Sequence, residues 1–436
     1  MAIGMVPAER DRELALLFLD RLFGEAGGRA VGVRLWDGTC WPDDTPRRAT
    51  LVLHHPSSLC AMFSAGDELS LAEAYLYNDF DIEGEIEAVF LLGDILAEAT
   101  NGWRKKLSMA NLLARLSKGR GDDPRRRRPA RIHGRRHSME RDRQAVTYHY
   151  NVSNDFYAQY LDSDMVYSCA YFENPNENLD TAQKRKMDYI CRKLRLRGGQ
   201  RMLDIGCGWG GLALHAAAHY GVDVTGITLS QPQADLGNSR IRAAGLSDCA
   251  RVRTQDYREL AEVDGLFDAL VSVGMFEHVG KDNLPLYFRH AFHLLAPGGV
   301  FLNHGIACPF GEKQSNRPDF SNTYVFPDGE LTTIGETVAI AESAGFEVRD
   351  VESLREHYML TLRHWVRRLE ANHEQALRFV DEPTYRIWRL YMSGSAHSFQ
   401  KGVRNIYQTL LVKPDAQGRS GLPLTRADWY RIGGPI

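Results

Sequence analysis

The residues best suited to chemistry stand just after short apolar runs. One group is Asp204-Ile205-Gly206-Cys207-Gly208-Trp209-Gly210-Gly211, which closes the run Arg201-Met202-Leu203-Asp204-Ile205. Glycines at such a place permit a tight turn and let a ligand approach the backbone at a helix start. The turn's second and third glycines are separated by one residue, unlike the GxGxxG fingerprint, and no Gly-Lys-Ser/Thr follows to hold a triphosphate. A ligand without phosphates therefore stands ahead of NAD and ATP, with a plain structural turn as the alternative. Glu277 follows the run Phe267 to Ser272, and His304 ends the run through Phe301-Leu302-Asn303. Either residue, taken singly, also reads as a satisfied structural polar group. Cys169 has no Lys, Arg or His beside it in sequence to lower its pKa, so it reads as a lining residue and not as a nucleophile.

These groups need a frame that gathers strand ends. Past residue 143, short apolar runs alternate with amphipathic stretches: 201–205, 222–227, 250–253, 267–272 and 299–303 read as strands. That pattern predicts an α/β, doubly wound sheet, in which ligands bind at the carboxyl ends of the strands. Ahead of it, Arg10 to Phe23 has apolar residues at helical spacing, Val31 to Leu35 and Thr50 to His54 read as strands, and helices follow around 56–77, 84–98 and 103–117. This part shows no catalytic constellation and reads as a smaller mixed α+β domain.

The chain has 436 residues, 44% hydrophobic and 25% charged, enough for two or three domains at roughly 150 residues each. Its net charge of -3 conceals an asymmetry. Residues 1–100 hold 7 Lys/Arg against 18 Asp/Glu, whereas residues 101–150 hold 15 against 4. The run Asp122-Asp123-Pro124-Arg125-Arg126-Arg127-Arg128-Pro129-Ala130-Arg131 cannot bury its charges and reads as a linker. It is either a solvated tether or a contact for a polyanion. The expected division is a small domain over 1–120, a basic linker over 121–143 and a catalytic domain over 144–436. No apolar stretch reaches 18 residues, and acidic residues precede any apolar run at the N-terminus, so neither a membrane span nor a signal peptide is expected. Seven cysteines without a CxxC pair or Cys/His cluster point to a reducing cytoplasm, with neither a disulfide framework nor a metal site.

Asp204 to Gly211 resembles the S-adenosylmethionine turn of class I methyltransferases. Together with Tyr167-Ser168-Cys169-Ala170-Tyr171, Thr228-Leu229-Ser230, Gln255-Asp256-Tyr257-Arg258, Ser272 to Gly280 and Tyr324-Val325-Phe326-Pro327-Asp328-Gly329, it resembles the cyclopropane-fatty-acid synthase family, mycolic acid cyclopropane synthases included. The likeness runs in order from about Tyr148 to Leu411, and more loosely through the preceding domain. It implies a Rossmann-like methyltransferase domain with helical C-terminal additions. It also implies transfer of a methyl group from S-adenosylmethionine to the cis double bond of a phospholipid acyl chain. An alkene is a weak nucleophile, so it must be held against the sulfonium methyl in a dry site. Attack leaves a carbocation, and removing a proton from the new methyl group closes the ring, which requires a base.

By the same resemblance that base is a bound bicarbonate ion, held by Glu277, His304 and Tyr358, with Cys169 and Ile306 lining it through backbone groups. Tyr167 and Ser168 fall at the methionine end of the cofactor. Gly206 and Gly208 allow backbone approach, and Asp204 and Gly210 belong to the same turn. Thr228 and Gln233 fall to the ribose and methionine side, and Gln255 and Asp256 to the adenine. Thr228 stands where many nucleotide sites place a ribose-binding carboxylate, which leaves Gln233 as a supplier of hydroxyl recognition, while Ser230 suits a helix N-cap. The sequence departs from the family in carrying Ser395 where many relatives have Cys, which excludes a thiol role there. It also departs in the polar segment Ala307 to Ser321, which could reshape the acyl entrance and move the product to a methylene or methyl-branched chain.

The acyl chain of a phospholipid stays in the bilayer, so the protein must work at a membrane surface. The basic stretch Arg125 to Arg143, followed by Val146, Tyr148, Tyr150, Phe156, Tyr157, Tyr160 and Leu161, offers charge beside apolar groups for peripheral binding at the inner face of the membrane. A homodimer is expected by analogy with the family. A nucleic-acid methyltransferase is disfavoured, because Phe276-Glu277-His278 occupies the place of the Asn/Asp-Pro-Pro-Tyr/Phe motif that grips an extruded base. A non-catalytic lipid-binding protein is disfavoured by the intact glycine turn and by Glu277, His304 and Tyr358.

Overall fold

Alternation at period two, with both faces covered, shapes the larger sheet. In Arg201–Ile205, Met202 packs with the helices on one face and Leu203 with those on the other. In the computed structural model, residues 7–99, 103–117, 132–150, 152–260, 266–312 and 319–430 are described. The run Asp122 to Arg131, and residues 313–318 of the polar segment, lie outside them. The chain divides into two compact units. One comprises Met1–Pro129, Asn316–Val325 and Asp381–His397, and the other Ala130–Ser315, Phe326–Val380 and Ser398–Ile436.

The smaller unit carries β1 (Gly32–Arg34), β2 (Cys40–Trp41), β3 (Ala49–Leu53) and β4 (Phe80–Gly84) in the order β2-β1-β3-β4. Strands β1 and β3 are parallel, and the other two pairs are antiparallel. The expected helix over 56–77 is two helices, Ser58–Phe63 and Glu68–Leu76, broken where Gly66 takes φ +68° and Asp67 caps Ser70 N–H. Arg386 and Arg389, on the helix Glu382–Lys401, are buried in this unit. Arg386 donates to Tyr75 O at 2.8 Å, and Arg389 to Tyr75 Oη at 2.8 Å.

The larger unit holds β5 (Arg201–Ile205), β6 (Asp223–Thr228), β7 (Ala250–Thr254), β8 (Phe267–Val273), β9 (Leu295–Ala307), β10 (Glu347–Ser353) and β11 (Asn405–Val412). Their order is β10-β11-β9-β8-β5-β6-β7, as expected of a doubly wound methyltransferase sheet. The five strands anticipated from the sequence are parallel, whereas β11 runs antiparallel to both β9 and β10. The C-terminal additions thus contribute two strands as well as helices. Helices Leu179–Leu194 and Gly211–Tyr220 cover one face and Leu284–Leu294 and Ile334–Ser343 the other. Leu270 and Phe301 are wholly buried in the second cluster, and truncating either to Ala costs about 3 kcal/mol or more.

One expectation is corrected here. Val146, Phe156, Tyr157, Tyr160 and Leu161 were anticipated as apolar groups offered to a membrane, but all five are buried. Tyr157 and Tyr160 pack against Tyr167, with ring centroids 5.4 and 6.2 Å away. These aromatic residues serve the core, since each buries a large apolar surface there.

Candidate active site

At the carboxyl ends of β5, β6, β7 and β8 lies a cleft. Tyr167, Ser168, Asp204, Gly206, Gly208, Thr228, Gln233, Gln255 and Asp256 all line it. Gly210 does not: it opens the helix Gly211–Tyr220 with φ +76° and closes the turn from outside. Gly206, at φ +80°, would press a Cβ to 2.7 Å from Met275 Cβ. The N–H groups of Gly206 and Cys207 both donate to Ile227 O at 2.9 Å, tying the turn to β6. A Cβ at Gly208 would meet nothing within 4 Å, so that side of the turn is open to a ligand.

Thr228 Oγ1 donates to Gln233 Oε1 at 2.6 Å, so the two form one unit at the end of β6. Ser230 caps the following helix by accepting from Gln233 N–H, as expected. Beside β7, Asp256 accepts from Arg258 Nε at 2.9 Å and from its terminal nitrogen at 2.7 Å, and Arg258 also reaches Asp142 at 2.9 Å. Tyr167 stacks on Trp365 with centroids 5.0 Å apart, and Trp365 meets Tyr358 edge-on at 6.0 Å.

The five residues expected at the reacting end lie outside the cleft lining but form one connected neighbourhood. Glu277, in the turn after β8, accepts the Ile306 N–H at Oε1, 2.7 Å away. Ile306 faces Ile406 across β9 and β11, and Ile406 O accepts from Leu354 N–H at 2.9 Å. Leu354 O in turn accepts from Tyr358 N–H at 3.0 Å and from Cys169 Sγ at 3.8 Å. The Ile306 amide is thus committed to Glu277. Cys169 is wholly buried, and burial pushes its thiol far above the ordinary range, as suits a lining residue and not a nucleophile.

His304 sits on β9 two residues before Ile306, opposite Gln408, whose amide nitrogen is 3.5 Å from Nδ1. Burial drives its pKa well below the ordinary value, helped by the positive field of Lys186 and Lys193, so the imidazole is neutral. Burial pushes Glu277 up to about 7. Among the described residues, Glu277 Oε2, His304 Nε2 and Gln408 Oε1 are buried without a hydrogen-bond partner. Each orphaned atom costs about 1–3 kcal/mol, a cost that a small ligand able both to donate and to accept hydrogen bonds there would offset.

The profile of the mycolic acid cyclopropane synthetase family matches residues 137–409. The chain belongs to that family. A probable fatty acid methyltransferase of Pseudomonas putida is 42% identical over 405 residues, covering 92% of this chain and 96% of that protein. The cyclopropane-fatty-acyl-phospholipid synthase of Escherichia coli K12 is 36% identical over 264 residues, 60% of this chain and 66% of that one. Among solved structures, the mycolic acid cyclopropane synthase CmaA1 complexed with SAH and CTAB is 34% identical with a TM-score of 0.58, covering 62% of this chain and 97% of that one. This protein is an S-adenosylmethionine-dependent methyltransferase.

Sequence reasoning missed several residues that line the cleft. Lys186, Trp209, Met275 and His278 line the cleft, as does Arg258. Arg258 had a signal, a cation two residues beyond Asp256. Lys186 had a stronger one, a charge within the apolar stripe of Ala182, Lys186 and Ile190. Desolvation of the half-buried His278 pushes its pKa down to about 4 and leaves it neutral.

Proposed function

We propose that the protein transfers the methyl group of S-adenosylmethionine to a cis double bond in a phospholipid acyl chain and that a bound bicarbonate assists proton removal, giving a cyclopropane fatty acid. The observation that carries this reading is the pair of buried, unpartnered atoms Glu277 Oε2 and His304 Nε2 on the sheet edge that also carries the cofactor cleft. A bicarbonate bound there supplies the base that accepts the methyl proton. Glu277, with Oε1 fixed on the Ile306 amide, presents Oε2 to accept the anion's hydroxyl hydrogen or, when protonated, to donate. The neutral His304 avoids a buried charge that would compete with the developing carbocation, and Tyr358 adds a phenol donor on the side of Trp365. The π electrons form the new bond to the methyl carbon as the carbon–sulfur bond breaks, and loss of one methyl proton closes the ring.

Tyr167, Ser168, Thr228, Gln233, Gln255 and Asp256 hold the cofactor in this reading. The lipid is met at the inner face of the membrane by a homodimer. Phe310, 96% exposed and three residues beyond β9, supports that contact, as does the basic run before Arg131. Co-sedimentation with anionic vesicles that weakens as salt rises is the expected result, and binding indifferent to salt overturns it.

A methyl- or methylene-branched product is the second reading. It is favoured by the Pseudomonas putida relative, called a fatty acid methyltransferase, which matches 92% of this chain where the Escherichia coli synthase matches 60%. Incubation with S-adenosylmethionine and vesicles of a cis-monounsaturated anionic phospholipid decides between them. Cyclopropane proton signals in the released acid support the first reading and vinylidene or branched-methyl signals the second. Absence of all three, with the cofactor bound, overturns both.

A further inference from the structure

At the methionine end of the cleft lies a cation that the reaction above does not use. Lys186, on the helix Leu179–Leu194, is 1% exposed and lines the cleft beside Ser168. Its Nζ donates to Ser168 Oγ at 2.9 Å, and among the described residues it forms no ion pair. Asp162, the acid whose field it feels most, has its two oxygens engaged by the N–H groups of Asp164 and Val166, at 2.9 and 3.0 Å. Asp204 offers a weak counter-charge, because burial pushes its carboxyl up to about 7. A buried ammonium without a committed counter-ion is costly, and burial draws Lys186 down to about 8.

An ammonium has three donors and no acceptor, so Ser168 Oγ must accept from Lys186 and turn its own hydrogen elsewhere. Gln183, one turn earlier on the same helix, donates to Val166 O at 3.1 Å and Ser168 O at 2.8 Å. The helix therefore fixes both the backbone and the hydroxyl of the loop that borders the cleft.

We propose that Lys186 is a positioning residue that commits the Ser168 hydroxyl to donate to a ligand carboxylate, so that the methionine end of the cleft selects ligands carrying the amino-acid tail. This rests on the reading that the cleft takes S-adenosylmethionine with its methionine end at Tyr167 and Ser168. It adds to that reading the residue that sets the donor and the part of the ligand it discriminates.

The test is calorimetric binding of two ligands to the full chain. S-adenosylhomocysteine carries the amino-acid tail, and 5′-methylthioadenosine is the same adenosine thioether without it. Lys186→Met is expected to weaken S-adenosylhomocysteine tenfold or more while leaving 5′-methylthioadenosine within twofold. Lys186→Gln, whose amide can donate or accept and so does not commit Ser168, is the second variant should Met not fold, with the same expected discrimination. Ser168→Ala is expected to behave alike, and the double variant to bind no more weakly than the weaker single one. Undiminished S-adenosylhomocysteine binding by the Lys186 variants overturns the proposal, as does an equal loss of both ligands, which marks a structural role. If the wild-type chain binds neither ligand, the cofactor reading itself falls.

Discussion

The cofactor cleft and the Glu277–His304 neighbourhood lie at one sheet edge, yet most polar groups of the first are paired with one another while key atoms of the second are not. In the cleft, Thr228 and Gln233 are bonded to each other, Asp256 to Arg258, and the glycine turn to Ile227. Most polar groups of the cleft are thus paired within the protein, with the buried Tyr257 hydroxyl and the Lys186 ammonium, which has no committed counter-ion among the described residues, as exceptions. In the second region, Glu277 Oε2, His304 Nε2 and Gln408 Oε1 are buried with no partner among the described residues. Leaving these polar atoms buried and unpaired is costly to folding, and on the proposed reading that cost keeps them available to a bound anion.

The sharpest way to break this contrast is Glu277→Gln. Product formation is expected to fall by at least about 10²-fold, in line with the loss of one preorganised polar group, while S-adenosylhomocysteine affinity stays within twofold by calorimetry. A parallel loss of binding would merge the two regions into one. Unfolding by urea gives the next largest effect. The folded chain binds the Glu277 proton more tightly, at about 7 against 4.5, so stability falls as pH rises from 4.5 through 7 and the full cost persists above. Between pH 5 and pH 8 the wild type is therefore expected to lose about 2–3 kcal/mol relative to Glu277→Gln.

Gly206→Ala probes the cleft instead. A Cβ at φ +80° and 2.7 Å from Met275 Cβ is expected to cost about 2 kcal/mol, read as a lower melting temperature and weaker cofactor binding. The smallest effect is Thr228→Val, which deprives buried Gln233 of its 2.6 Å donor. About 1 kcal/mol, or roughly fivefold in S-adenosylhomocysteine affinity, is expected, with turnover at saturating cofactor unchanged.

The cleft was readable in the sequence because its parts are local. Turn glycines, an N-cap such as Ser230 and a strand-end residue such as Thr228 announce themselves within a few positions. The five parallel strands were readable as short runs with apolar residues, although β7 alternates Val252 with Arg251 and Arg253. Strand β4 was not, because Phe80 and Ile82 alternate with Asp81 and Glu83 over only five residues. Strands β10 and β11 were also missed: in Glu347–Ser353, charged residues interrupt the apolar pattern of a sheet edge. Gln408 escaped notice because its partner, His304, is 104 residues away in sequence. Resemblance to the family supplied Glu277, His304 and Tyr358, and the cofactor roles of Tyr167, Ser168, Gln233, Gln255 and Asp256, while the chain of contacts from Glu277 to Tyr358 through Ile306, Ile406 and Leu354 required the fold.

The placement of β11 has a consequence for the order in which the protein comes into being. This last strand lies inside the sheet, between β9 and β10, and not at its rim. A chain emerging from the ribosome can assemble β5 to β9 while His304 still stands on an open edge, facing water where Gln408 will later pair. Only when residues 405–412 arrive is that edge sealed and the imidazole taken out of solvent. The Glu277–His304 neighbourhood is thus closed only once β11 has been made. A nascent chain stalled before Asn405 is expected to bind cofactor weakly and to methylate nothing.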